Sequence, residues 1–298
     1  MVIGISGKAG SGKNLVAGIW QYLTIYEGNV GKVLKAVTED NWDSLSKKER
    51  EEKSGWQEKL FAYKLKEIVC TLTGCTMENL ESQEFKFSKL PKEWEVVKLI
   101  KEDGTWFVKT IKEFEKEYSA KNIFDECESM SKLKDLNVVK FERFIPTYRE
   151  FLQIIGTDLF RTFIHPNTWV ISTMSDYKPT TFKWNDGNYM QYCKFCNKEF
   201  TGCKHQMVCE DCCETVKLYP NWIVTDARFI NECEAILNTD DNILIRVNRK
   251  NNTSNNSTHA SEIELDSYDR FHYIIDNNGT IEELINKVRN IMIEKGIF

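Results

Sequence analysis

Apolar residues first gather at Val2-Ile3-Gly4-Ile5, a short run that reads as a buried strand. A glycine-rich stretch follows. From Lys13 the spacing becomes helical, with Leu15, Val16, Ile19, Trp20 and Leu23 on one face. The opening therefore predicts strand, glycine loop and helix in that order. The charge run Lys47 to Lys53 predicts a solvated helix face. Glu58 to Ala62 predicts a strand, and Lys64 to Val69 the start of a helix. Residues from about Glu95 to Glu142 are rich in lysine and glutamate, and we read them as a helical, charged insertion without chemistry of its own. Phe151, Leu152, Ile154, Ile155, Leu159 and Phe160 predict an amphipathic helix, and Thr168 to Met174 a second one.

Towards the C-terminus the apolar runs return. Trp222 to Asp226 and Ile243 to Val247 predict strands, and Tyr273 to Ile275 a last short one. Asn231, with Glu234 three residues on, predicts a helix start. The stretch Asn251 to Thr258 holds only Asn, Ser and Thr and predicts a loop. Thr280-Ile281-Glu282-Glu283 predicts a capping box, and Ile281, Leu284, Ile285, Val288 and Ile291 the inner face of a closing helix. Strands alternate with helices at both ends of the chain, so the expected fold class is α/β, a three-layer αβα arrangement around a mostly parallel sheet. One domain is expected over all 298 residues, with inserts at about 95–142 and 185–219 and a lid-like loop at 249–260.

Composition narrows the function. Hydrophobic residues are 41% and charged residues 29%, as in soluble globular proteins. A net charge of -5 argues against a surface built for duplex nucleic acid. No apolar run reaches the roughly 18 residues of a membrane helix, and the opening residues do not resemble a signal peptide. The expectation is a soluble, cytoplasmic protein with no membrane partner.

Gly7-Lys8-Ala9-Gly10-Ser11-Gly12-Lys13-Asn14 has the spacing of a phosphate-binding loop, Gly-x-x-x-x-Gly-Lys. Gly10 and Gly12 let backbone N–H groups approach phosphate oxygens, the following helix points its positive end at the same anion, and Lys13 reaches the terminal phosphates. Asn14 stands where a Ser or Thr hydroxyl is usual; its amide oxygen suits a magnesium-bound water. Asp226, ending an apolar strand, is placed as a carboxylate for the magnesium shell, or as the cap of a turn. Arg228 adds a fixed cation two residues on. The expected cofactors are Mg2+ with ATP, and structural Zn2+.

The zinc expectation rests on the cysteines. Ten occur, six of them between Cys193 and Cys213. Cys193 and Cys196 form one C-x2-C pair, and Cys209 and Cys212 another after twelve residues. Two such pairs make knuckles whose sulfurs converge on one tetrahedral ion. Cys213 and His205 are alternative ligands, and Cys203 is read as none. An all-sulfur set favours a closed structural site, in a ribbon that shapes a substrate mouth or a homodimer contact.

Several segments together resemble the bacteriophage deoxynucleoside monophosphate kinase family, in the nucleoside-monophosphate-kinase group of P-loop proteins. They are Gly7 to Asn14, Phe61 to Lys66, Thr147 to Gln153, Gly156 to Arg161, Trp169-Val170, Thr225 to Glu232, His259 to Glu262 and Ile275 to Thr280. The family often carries Asp where this chain has Asn14, and both inserts lie outside the resemblance. The resemblance implies transfer of the γ-phosphoryl of ATP to a deoxynucleoside 5′-monophosphate. It implies Arg149, Arg161 and Arg228 as phosphate contacts, with Arg149, Lys66 and Gln153 on the acceptor side. It also implies His259 and Glu262 on a lid. Two other readings stay open: a dephospho-coenzyme A or phosphomevalonate kinase, and a nucleic-acid-dependent ATPase that grips its strand with the cysteine module.

Overall fold

The computed structural model describes residues 1–38, 45–118, 137–179, 189–194, 196–202, 209, 219–250 and 263–298. The chain divides into two compact units. The first comprises Met1–Tyr63 and Asn167–Phe298, and the second Lys64–Pro166. The sequence reads as one domain with a 95–142 insert; the second unit begins well before that insert and ends after it.

The first unit opens with β1 (Val2–Ser6), buried at every position, then α1 (Lys13–Ile25), α2 (Val30–Thr38), α3 (Lys47–Ser54) and β2 (Trp56–Lys59). The charge run becomes α3, which buries no side chain. Ser46 caps it: its side chain accepts from the Glu49 N–H while the Glu49 carboxylate accepts from the Ser46 N–H. The expected strand at Glu58 to Ala62 lies two residues earlier, at Trp56–Lys59. It is the edge strand of its sheet, so only Trp56 must be apolar and the rest can be polar.

In the second unit come α4 (Tyr63–Thr73, its first residue still in the first unit), α5 (Gln83–Phe87), β3 (Val96–Lys101), β4 (Trp106–Lys109), α6 (Ile111–Tyr118), β5 (Val138–Phe144) and α7 (Tyr148–Gln153). The helical reading of the 95–142 insert is corrected here. Its described residues form an antiparallel sheet in the order β4-β3-β5, with α6 packed on one face. Val97, Leu99, Phe114 and Val138 are its buried core, alternating with exposed or half-exposed lysines. α7 runs on without a break into a π-helical stretch, Ile154–Ile164. Thr147 and Glu150 cap its start reciprocally. A second small core joins Val69, Leu80, Leu90, Tyr148, Phe151 and Ile155.

The first unit resumes with α8 (Thr168–Met174), the hairpin β6 (Tyr189–Tyr192) and β7 (Glu199–Gly202), then β8 (Asn221–Ala227), α9 (Ile230–Leu237), β9 (Asn242–Asn248), β10 (Tyr273–Asp276) and α10 (Ile281–Glu294). Five strands make one sheet in the order β10-β9-β1-β8-β2, and all neighbours run parallel. Alternation along the strands sends Ile3, Ile5, Ile223, Ile243 and Ile245 into a core with α1, α2 and α10. The opposite face takes α9: a β carbon at Gly4 would lie 2.6 Å from Ile236 Cδ1. The unit is therefore α/β, with helices on both faces of a parallel sheet.

Two helix starts differ from expectation. At α9 the carboxylate that closes the N-terminus is Glu232, which accepts from the N–H groups of Arg228 (2.8 Å) and Phe229 (3.2 Å). Asn231 instead donates its amide to Asn167 Oδ1. At α10 Thr280 accepts from the Glu283 N–H as expected, but Ile281 is exposed, and Met292 completes the inner face. No helix among the described residues is long and apolar enough to cross a membrane.

Candidate functional site

β1 is the central strand of the five, and the segment Gly7 to Gly12 joins its C-terminal end to α1. Crevices at the carboxyl ends of parallel strands are where open α/β sheets bind ligands. The loop is shaped by glycine. At Gly7, φ is +156° and a β carbon would lie 2.5 Å from the Val247 carbonyl oxygen. At Gly12, φ is +99° and a β carbon would lie 2.4 Å from Asn277 Nδ2. That amide donates to the Ser11 carbonyl at 2.9 Å, tying the loop to the turn after β10. Ala9 is half-buried, and Gly10 lies exposed at the loop's outer edge.

Lys13 is 9% exposed, and its ammonium donates to the carbonyls of Gly7 (2.6 Å) and Lys8 (2.9 Å). A buried charge survives only with such partners. Ser11 Oγ is buried and has no hydrogen-bond partner among the described residues. Asn14 is exposed in the first turn of α1.

Three further charged groups surround this loop, two of which the sequence reading missed. Arg228 lines a small cleft with Gly7, Lys8 and Arg246. Arg246, on β9, donates to Ser6 Oγ at 3.0 Å and to Asp266 at 3.1 Å. Asp266 also accepts from Lys8 Nζ at 2.8 Å. The signal for Arg246 was legible as a cation inside the apolar run Ile243-Leu244-Ile245-Arg246-Val247. Asp266 carried no sequence signal. A larger cleft of about 550 Å³ opens beside the loop, lined by Lys8, Arg246, Arg249, Lys250, Tyr268 and Phe271 among others. Its lining sets four cations against two carboxylates, Asp266 and Asp276, with two rings, a net positive setting that suits an anionic, partly aromatic ligand.

Asp226 caps a turn, one of its two expected roles. Its carboxylate accepts from the N–H groups of Phe61 (2.8 Å) and Ala62 (2.9 Å), capping the turn after β2. Both oxygens are thus engaged by backbone.

The residues assigned to the acceptor lie in the second unit. Lys66 pairs with Glu81 at 2.6 Å. The Arg149 guanidinium lies 5.8 Å from the Phe87 ring. Arg161 Nη1 donates to the Pro166 carbonyl at 3.4 Å. Gln153 closes α7, just before the π-helical stretch that holds Arg161. Arg149 and Arg161 share one continuous helix, on the order of 15 Å apart along its axis, so they make separate contact points. π-turns are uncommon and often mark functional segments. His259, Glu262 and the lid-like loop at 249–260, beyond Lys250, lie outside the described residues.

A second candidate centre sits on the β6–β7 hairpin. Cys193 follows β6, and the turn is closed by the Asn197 N–H to the Cys193 carbonyl (2.8 Å) and the Cys193 N–H to the Lys198 carbonyl (2.9 Å). The sulfurs of Cys193, Cys196 and Cys209 all lie within 4.8 Å of one another, with Cys196 and Cys209 3.6 Å apart. Cys193 and Cys209 are buried, and Cys196 is exposed. Such a cluster can hold a metal such as zinc. Cys203, His205, Cys212 and Cys213 lie outside the described residues.

No protein-family model matches the chain, and no curated protein matches it in sequence.

Proposed function

We propose that the chain is a phosphotransferase that binds ATP at the Gly7–Asn14 loop and passes the γ-phosphoryl group to a deoxynucleoside 5′-monophosphate. The observation that carries this reading is the glycine-built loop between the central parallel strand and α1, closed around the Lys13 ammonium, with Arg228 and Arg246 at its side. The choice of acceptor rests on the resemblance carried by Phe61 to Lys66, Thr147 to Gln153 and Gly156 to Arg161.

The chemistry asked of these residues is modest. An oxygen of the acceptor phosphate forms a bond to Pγ as the bond from Pγ to the β–γ bridging oxygen breaks, and ADP leaves with that electron pair. The acceptor is already anionic, so little proton transfer is needed; positioning and charge neutralisation carry the rate. Lys13 and the loop N–H groups serve the donor phosphates, with Arg228 and Arg246 as flanking cations. Arg149, Lys66 and Gln153 are assigned to the acceptor, and Arg161 to a phosphate. Mg2+ enters with ATP and neutralises phosphate charge. Asn14 would offer an amide oxygen to its hydration shell, and Asp226, whose two oxygens have more lone pairs than the Phe61 and Ala62 N–H groups use, could accept from a water of that shell.

A coupled assay over a panel of monophosphates tests the proposal. The expected result is dNMP-dependent ATP consumption, with ADP and the dNDP formed in equal amounts. Turnover with a non-nucleotide phosphorylated acceptor would move the protein to the small-molecule kinases. ATP hydrolysis driven by DNA, with release of orthophosphate, would make it a nucleic-acid-dependent ATPase.

A further inference from the structure

Asp266 bridges two cations beside the Gly7–Asn14 loop. One carboxylate oxygen accepts from Lys8 Nζ at 2.8 Å and the other from Arg246 Nη2 at 3.1 Å. Arg246 is held on further sides as well, by Ser6 Oγ at 3.0 Å and by the face of Phe271 at 5.7 Å. The side chains differ in exposure: 12% for Arg246, 40% for Lys8 and 42% for Asp266. The arginine is thus built into the wall of the cleft, while the carboxylate sits at its rim.

A carboxylate offers a guanidinium the same pair of oxygens that a phosphate does. A phosphate can therefore take the place of Asp266 on Lys8 and Arg246, but only by releasing it to water. We infer that Asp266 is an affinity-setting residue, a tethered anion that competes with the ligand for Lys8 and Arg246. This inference rests on the phosphate-loop reading given under Proposed function. A single phosphate that displaces Asp266 merely exchanges one anion for another. A polyphosphate reaches Lys13 and Arg228 in addition, so its gain exceeds the loss of the ion pairs. The competing carboxylate lowers the affinity of every ligand that must displace it by the same factor, so at a given concentration only ligands with several phosphoryl groups stay bound.

The test is calorimetric titration of the full chain with inorganic tripolyphosphate and, separately, with orthophosphate. Asp266→Asn should bind tripolyphosphate about threefold to tenfold more tightly, the size expected of partly exposed ion pairs. Orthophosphate should gain by the same factor, because it must release the same carboxylate. Asp266→Ser should behave as Asp266→Asn does, and Asp266→Glu as the parent chain does. Adding Arg246→Gln to Asp266→Asn should cancel the gain. Unchanged or weaker tripolyphosphate binding by both Asp266→Asn and Asp266→Ser would overturn the inference, as would a gain that survives Arg246→Gln. A parent chain that binds no tripolyphosphate at all would instead overturn the phosphate-loop reading.

Discussion

Lys13 occupies an unusual station for an ammonium: 9% exposed and bonded to the Gly7 and Lys8 carbonyls of its own loop. Those two bonds hold the charge against the inner carbonyls of the loop. Lys13→Ala should therefore keep the fold, judged by an unchanged circular dichroism spectrum, and lose on the order of a thousandfold in turnover. Near-normal turnover would remove the loop from the active site. Asn14 is exposed and carries no such constraint, so Asn14→Ser should remain active. A dead Asn14→Ser beside a fully active Asn14→Asp would show that the site needs a carboxylate there. A third residue ties pH to stability. His272 Nδ1 accepts the Leu244 N–H at 2.9 Å, which requires the neutral ring. Although the residue as a whole is exposed, partial desolvation of the ring, then repulsion from Lys295 and Arg270, lowers its pKa. A depressed histidine pKa means that the unfolded chain takes up the proton first. Stability is then full above the unfolded value of about 6.5 and declines as pH falls below it. In His272→Asn, the amide oxygen can accept the same N–H without titrating, so melting temperature should fall less steeply between about pH 7 and about pH 5. Identical slopes for the two proteins would exclude His272 as the source.

At the scale of elements, the order of strand, glycine loop and helix read from Val2 to Leu23 is the order the backbone has. Gly12 combines a φ of +99° with an Asn277 amide that would lie 2.4 Å from any β carbon placed there. Gly12→Ala should lower stability by about 1–3 kcal/mol through backbone strain and should loosen the Asn277 tie to Ser11. A thermal melt indistinguishable from the parent's would show that the loop can relax elsewhere. The strands β1, β8 and β9 were legible because they are buried on both faces and read as continuous apolar runs. β2 was misplaced by two residues because an edge strand needs only Trp56 to be apolar. The sheet β4-β3-β5 was hidden by its lysines, yet Val97 and Leu99 alternate with Lys98 as a strand should. The π-turns of Ile154–Ile164 leave no periodic trace, since the apolar residues there fit an ordinary helix equally well. The Asn231 cap failed because Glu232, one position on, reaches back to two N–H groups and leaves Asn231 to Asn167. Arg246 was visible as a misplaced charge, whereas its partner Asp266 is brought near only by the fold.

Across the whole molecule, hydrophobic burial is unevenly shared, and this bears on the metal. The first unit's main core draws on β1, β8, β9, β10 and three helices. The β6–β7 hairpin belongs to the same unit, but its own buried cluster is Cys193 and Cys209, with Phe200 partly buried against them. The apolar area buried there among the described residues is too little to order a two-stranded ribbon by itself. Three sulfurs within 4.8 Å supply the alternative, a site that could hold a metal whose binding energy would order the hairpin. Purified protein should accordingly contain about one zinc per chain. The fourth ligand expected from the spacing, Cys212, lies outside the described residues. Cys196 gives a direct readout, because it is exposed and yet belongs to the cluster. Bound to zinc, its thiolate should resist alkylation by iodoacetamide. A strong chelator should remove the metal, make Cys196 reactive and disorder the hairpin. The main unfolding transition should move little, since that core owes nothing to the sulfurs. ATP binding should also persist, because the Gly7–Asn14 loop is held by the ends of β1 and α1 and by Asn277. Cys196→Ser should reproduce the chelated state without chelator. Zinc-free protein whose Cys196 alkylates at the same rate before and after chelation would reduce the cluster to neighbouring free thiols.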